Sequence, residues 1–107
     1  MSFNIIPTER FEKELKRLVK KHLSLKADLI KLISTLKNNP SFGIPLGNNC
    51  YKIRLAISSK GKGKSGGARV ITYVKIVEER IFLLSIYDKS ESDTITDSEI
   101  LSRVSGL

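Results

Sequence analysis

Between Glu9 and Lys37 the apolar residues recur at helical spacing. Phe11, Leu15, Leu18 and Val19 fall on one face of a first segment, and charged residues fill the other. Thr8 is a good N-cap for it, and Glu9 in the first turn complements the helix dipole. Ahead of it, Ser2 to Ile6 reads as a short strand ended by Pro7. Ser24 restarts the helical pattern as a second cap. Leu25, Leu29, Leu32, Ile33 and Leu36 then make a broad apolar stripe, stopped by Asn38-Asn39-Pro40 because proline disfavours helix in the residue before it. This half of the chain is a predicted helical hairpin.

The grammar changes after Gly47. Tyr51 to Ala56 alternates as a half-buried strand does, and Ala68 to Val77 and Arg80 to Tyr87 are β-branched and aromatic. Glu78-Glu79 lies between the last two as a turn, with no glycine to mark a tight hairpin. The run VEERIFLL also has a helical reading, but its β-rich flanks and missing cap favour strand. Thr96-Asp-Ser-Glu99 has the form of a capping box, with Ile95 placed to staple against Ile100. The final short helix has Ile100, Leu101, Val104 and Leu107 as its apolar face. The expected fold is α+β: a small antiparallel meander sheet, two N-terminal helices packed on one face, a short C-terminal helix, and a second face left more open. The 107 residues fit one domain, 1–107.

Charge changes the picture most. Lys and Arg number 19 against 11 Asp and Glu, a formal net charge of +8. Such an excess attracts phosphates at long range and points to a polyanionic partner. Cys50 stands alone, which excludes an internal disulfide and suits a reducing compartment; beside Tyr51 it reads as a small core residue. His22 is the single histidine, so a Cys₂His₂ zinc site is impossible, and it reads as a solvated helix-end residue. The start of the chain lacks a basic leader followed by a long apolar run, and no run reaches the roughly 20 apolar residues of a membrane helix. A cytoplasmic location with no membrane partner is the expectation.

The stretch SSKGKGKSGGARV, residues 58–70, contains Gly63-Lys64-Ser65, the tail of a phosphate-cradling P-loop. The pattern would put its first glycine at Ser58, and a P-loop opens a helix, whereas ARVITYV reads as a strand. The loop still has physical meaning. Gly61, Gly63, Gly66 and Gly67 leave the backbone slim, and Lys60, Lys62 and Lys64 place three charges on it. That composition suits a phosphate backbone better than a shaped pocket. In the flanking strands Lys52 and Arg54 share one face, and Arg69, Ile71, Tyr73 and Lys75 share another. Hairpin pairing brings Arg69 near Arg54 or Lys52, and a meander brings Tyr87-Asp88-Lys89-Ser90-Glu91 to the same sheet. So many like charges need an anion or an exposed setting.

CYKIRLA, then KGKSGGARVITYV, then IFLLSIYDKSESDTITDSEI resemble the RelE/ParE superfamily of bacterial toxins, and within it the RelE- and HigB-like branch. The order of elements matches throughout the chain; the most specific motif is KGKSGGARVITYV followed by IYDKSESDTIT. The resemblance implies a toxin of a type II toxin–antitoxin system: an mRNA interferase that acts mostly in the ribosomal A site, blocks translation and needs no metal or other cofactor. The substrate 2′-hydroxyl attacks the adjacent phosphorus and leaves a 2′,3′-cyclic phosphate and a free 5′-hydroxyl. A cognate antitoxin protein covers or distorts the basic site, and the free toxin is expected to be a monomer.

By motif, the resemblance assigns Arg69 as the phosphate-stabilising arginine. Lys52 and Arg54 match the family's basic strand pair, orienting substrate, stabilising charge or, for Lys52, acting as base. Lys89 and Glu91 match a K-x-E segment in which the lysine holds the phosphate, and Tyr87 stacks on a base or supplies a hydroxyl. Lys60, Lys62, Lys64 and Tyr73 form the expected RNA-binding set around these catalytic candidates. Two departures stand out: Ser90 replaces an arginine that some relatives carry, and the tail SEILSRVSGL lacks the tyrosine of many relatives. The general base therefore stays open. A ParE-like inhibitor of DNA gyrase and a catalytically inactive nucleic-acid-binding module are the alternatives.

Overall fold

A computed structural model describes residues 2–60, 66–91 and 95–107, with the side chain of Lys60 excepted. The elements run β1 (Asn4–Pro7), α1 (Glu9–Lys21), α2 (Leu25–Asn38), β2 (Ile44–Gly47), β3 (Cys50–Leu55), a 3₁₀ turn (Ser58–Lys60), β4 (Ala68–Lys75), β5 (Arg80–Asp88) and α3 (Asp97–Ser105). The five strands form one sheet in the order β1-β5-β4-β3-β2. From β2 to β5 each strand is antiparallel to the next, as the meander required. Two features correct it. β1 lies parallel to β5 at the edge, which makes the sheet mixed, and β2 is an additional strand. β2 and β3 are joined by Asn48-Asn49, both at positive φ (52° and 61°), the geometry of a tight two-residue hairpin turn. Both edge strands are four residues long and each contains a proline, Pro7 or Pro45.

Helices α1 and α2 cover one face. Phe11, Leu18, Leu25, Leu29, Leu32 and Leu36 pack there against Ile53, Val70, Val74, Ile81, Leu83 and Ile86. The Thr8 hydroxyl caps α1, accepting from the Phe11 amide at 3.3 Å, and also donates to the Leu83 carbonyl at 2.8 Å, which ties the helix to β5. Ser24 holds the N-cap position of α2, as expected, but makes no side-chain cap. It is helical in backbone (φ −86°, ψ −10°), and its hydroxyl donates instead to the Asp28 carboxylate at 2.8 Å.

On the other face α3 packs over Cys50, Ile71, Leu84 and Tyr87 through Ile100, with Ile95 in the same cluster. Thr96 caps α3 by accepting from the Glu99 amide at 3.1 Å, while the Glu99 carboxylate pairs with Arg103. Register shifts between Ile71 and Thr72, whose partners are Ser85 and Leu83, so Leu84 is an extra residue in β5. Past Leu83, β5 also loses its neighbour, because β1 has ended. There the Ile86 amide donates to the Glu14 carboxylate (3.3 Å), and the Leu84 carbonyl accepts from Arg103 (2.7 Å). No helix among the described residues is long and apolar enough to cross a membrane.

Candidate phosphate-binding site on the open sheet face

Alternation along three adjacent strands builds the site. Arg54 of β3 lies opposite Arg69 of β4, and Arg69 lies opposite Tyr87 of β5. Opposed residues share a face, with Cα atoms roughly 4.5–5.5 Å apart. Two register pairs along the sheet, Lys52 lies opposite Ile71 on that same face. This is the α3 side, to which Ile71 and Tyr87 belong; the alternate residues Ile53 and Val70 pack under α1 and α2.

The members differ in exposure. Arg54 is exposed and Lys52 half-buried, while Arg69 is 4% and Tyr87 8% exposed. Arg69 Nη1 donates to the Ala68 carbonyl at 3.1 Å. Two cations set directly opposite one another repel, so an anion bound between them gains from both. The Tyr87 hydroxyl is buried with no hydrogen-bond partner among the described residues, a state that usually costs about 1–3 kcal/mol.

The ladder continues one step past β5: the Lys89 amide donates to the Gly67 carbonyl at 3.1 Å. This sets exposed Lys89 opposite Gly67, with the strand parity of Tyr87. Arg54, Arg69 and Lys89 thus gather at one end of the sheet. At that end Gly67 is needed for close approach: a Cβ there would stand 2.2 Å from the Leu55 carbonyl oxygen. It leads directly into β4.

Other expected residues fall elsewhere. The Glu91 carboxylate accepts from Lys21 and from Arg17 (3.5 Å), both on α1. The hydrogen bond from Lys21 holds Glu91 below the usual carboxylate range against a smaller opposing effect of desolvation; an ionised, tied carboxylate is a poor general acid. Tyr73 stacks on Phe82, ring centroids 6.2 Å apart. It lies four residues from Arg69, roughly 13 Å along the strand. Lys62 and Lys64 lie outside the described residues, as does the side chain of Lys60.

Three supporting residues escaped the sequence reading. Asp88, 2% exposed, accepts from the ring of His22 (2.9 Å) and from the amide (3.0 Å) and hydroxyl (2.8 Å) of Ser90. His22 is therefore not solvated; its side chain is 13% exposed. Strand parity alone sends Asp88 to the helix face, where a buried carboxylate needs a donor. Asp28, 7% exposed, accepts from the Ser58 amide (2.9 Å) and hydroxyl (2.6 Å). Burial pushes its carboxyl up, but the bonds from Ser58 and Ser24, with Lys31 nearby, outweigh that and leave it below its ordinary value. No group of His, Cys, Asp and Glu among the described residues has the geometry of a metal site.

Residues 10–104 match the family model of the RelE toxin of the RelE/RelB toxin–antitoxin system. A mutant of the E. coli toxin RelE in the free state, with two arginines replaced by alanine, superposes with a TM-score of 0.67. Its identity is 21% over 97% of this chain and 99% of that one. The same mutant toxin bound to an antitoxin RelBc peptide gives a TM-score of 0.64 at 21% identity, covering 97% and 95%. These likenesses establish a shared fold.

Proposed function

Because this chain belongs to the RelE toxin family of toxin–antitoxin systems, we propose that it is a ribosome-dependent mRNA endoribonuclease that uses its cationic sheet face in place of a metal. The observation that carries the reading is the Arg54–Arg69–Tyr87 row, with Lys52 two residues along β3 and Lys89 two residues past Tyr87.

On this reading the RNA phosphate sits against the two guanidinium groups. Lys52 takes the proton of the 2′-hydroxyl as that oxygen attacks phosphorus. Negative charge grows on the non-bridging oxygens, where Arg69 and Arg54 stabilise it more in the transition state than in the ground state. The bond from phosphorus to the 5′ oxygen then breaks. That oxygen takes a proton, which the Tyr87 hydroxyl in the same row supplies, leaving a 2′,3′-cyclic phosphate and a 5′-hydroxyl. Lys89 holds a neighbouring phosphate, and Glu91 anchors its segment to α1. An antitoxin would silence the toxin by covering or distorting this face; that such a partner exists is supported by the complex of RelE with an antitoxin peptide.

The test is cleavage of ribosome-bound message by purified protein, mapped by primer extension. Arg69→Ala is expected to lower the rate about 30- to 1000-fold, equivalent to about 2–4 kcal/mol in the barrier, with unfolding behaviour retained. Undiminished cleavage by Arg69→Ala would overturn the assignment. Relaxation of supercoiled plasmid without RNA cleavage would move the reading to gyrase inhibition.

A further inference from the structure

Tyr87 and Lys89 share the parity of the cationic face, and Asp88 between them takes the helix side of the sheet, where Ile86 belongs to the core. An apolar residue at that position would be buried without penalty, whereas a buried carboxylate must be met by donors. What the carboxylate supplies is direction. Its Oδ1 accepts from the Ser90 amide (3.0 Å) and hydroxyl (2.8 Å), and the Glu91 amide closes the same turn on the Asp88 carbonyl at 3.0 Å. Its Oδ2 lies 2.9 Å from Nε2 of His22. Both oxygens accept, so the ring nitrogen is the donor. His22 is itself fixed as the C-cap of α1, its amide donating to the Leu18 carbonyl at 3.0 Å. Lys89 lies within the turn so formed, its amide bonded to the Gly67 carbonyl just past the register pair of Ala68 with Asp88. The turn's other tie to α1, from Glu91 to Lys21 and Arg17, joins partly exposed side chains, and such pairs hold weakly.

We infer that His22 is a positioning residue for Lys89: from the helix side of the sheet it fixes the Asp88 carboxylate, and through it the backbone turn that holds Lys89 at the Arg54–Arg69 end of the cationic face. The consequence for RNA rests on the proposed function; the hold of His22 on the turn does not. A lysine is a point charge on a flexible stem, so the part of its reach that can be fixed is the backbone it springs from. A phosphate contact whose backbone is set beforehand loses less freedom on binding.

The experiment compares the full chain with His22→Ala, His22→Gln, Lys89→Ala and the His22→Ala/Lys89→Ala double variant. Gln can bring an amide nitrogen to the oxygen that Nε2 meets. Should His22→Ala not fold, His22→Asn, whose amide is one bond too short to reach, takes its place. Backbone ¹⁵N order parameters are read at Lys89 and Ser90, with Val74 as reference because its amide is held by the Asn49 carbonyl within the sheet. Anisotropy measures binding of a fluorescein-labelled single-stranded RNA. His22→Ala is expected to lower the order parameter at Lys89 and Ser90 from about 0.85 to about 0.6, to leave Val74 unchanged, and to raise the RNA Kd about five-fold. His22→Gln should restore both readouts most of the way. Lys89→Ala should weaken binding by itself, and adding His22→Ala to it should change Kd less than about two-fold. Unchanged order at Lys89 and Ser90 in His22→Ala, an equal loss at Val74, or a Gln variant as loose as the Ala variant removes the positioning role. So does a loosened turn that binds RNA as tightly as wild type, or a Kd penalty that multiplies with that of Lys89→Ala, since His22 would then act by another route. A wild-type protein that binds no RNA would sink the proposed function instead, and the order parameters would still decide whether His22 fixes the Lys89 turn.

Discussion

Replacing Arg103 with methionine tests the account of how β5 is finished where its neighbour strand ends. The Arg103 side chain is 7% exposed. Its Nη1 donates to Glu14 at 3.1 Å and to the Leu84 carbonyl at 2.7 Å, and its Nη2 donates to Glu14 at 3.1 Å and Glu99 at 3.3 Å. Burial alone would lower its pKa, but the two carboxylates reverse this and hold the guanidinium charged. Methionine fills similar space with no donor, so the Leu84 carbonyl is orphaned and Glu14 loses a two-pronged cation. Breaking a buried pair costs about 3–5 kcal/mol. Here the Glu14 side chain is 30% and Glu99 43% exposed, so water recovers part of the loss. A destabilisation of about 2–3 kcal/mol remains after that discount, or a fall in Tm of roughly 8–12 °C for a chain of this size. Glu14→Gln keeps an acceptor for the Ile86 amide and should lose only about 1 kcal/mol. Thermal unfolding followed by far-ultraviolet circular dichroism measures both. Arg103→Met within about 0.5 kcal/mol of wild type, or Glu14→Gln as damaging as Arg103→Met, would refute the reasoning.

Gly67→Ala should cost at least about 1–3 kcal/mol, because the atoms its Cβ would strike belong to the Leu55 and Ala56 backbone and cannot rotate aside; a chemical-denaturation midpoint unchanged from wild type contradicts this. The pH dependence of stability should carry the mark of Asp28. Its folded-state pKa lies below the ordinary 3.8, so its charge adds stability that is fully present above the unfolded value and is lost as pH falls through the folded one. Asp28→Asn should therefore be less stable than wild type at pH 7, with the gap closing below about pH 3.8; a gap that stays constant down to pH 2 counts against it.

What the sequence showed plainly was periodicity. The 3.6-residue recurrence of Phe11, Leu15 and Leu18 needed no tertiary information, and the Thr8 cap formed as read; at Thr96 the hydroxyl half of the capping box formed, while the Glu99 carboxylate pairs with Arg103. Period-two alternation put Lys52 and Arg54 on one face and Arg69 with Tyr73 on another, and pairing merged these faces. Features set by distant partners stayed hidden. The union of β1 with β5 joins residues more than seventy positions apart. β2 is short and holds a proline, though Asn48-Asn49 was an available turn signal. Ser24 holds the cap position its local sequence suggests, but its hydroxyl was claimed by a carboxylate that is buried only in the folded chain. Glu91 sits in a motif that suggests chemistry, but nothing local reveals Lys21 and Arg17 waiting on another element.

The prolines at the two sheet margins have a bearing on how the molecule behaves in a crowded solution. An open β margin invites another chain to dock its backbone and extend the ladder, and a missing N–H spoils that template. With Pro7 on one side and Pro45 on the other, neither border offers an unbroken row of donors, and each is too brief to seed a fibril. Self-recognition by strand addition is thereby discouraged at both ends of the sheet.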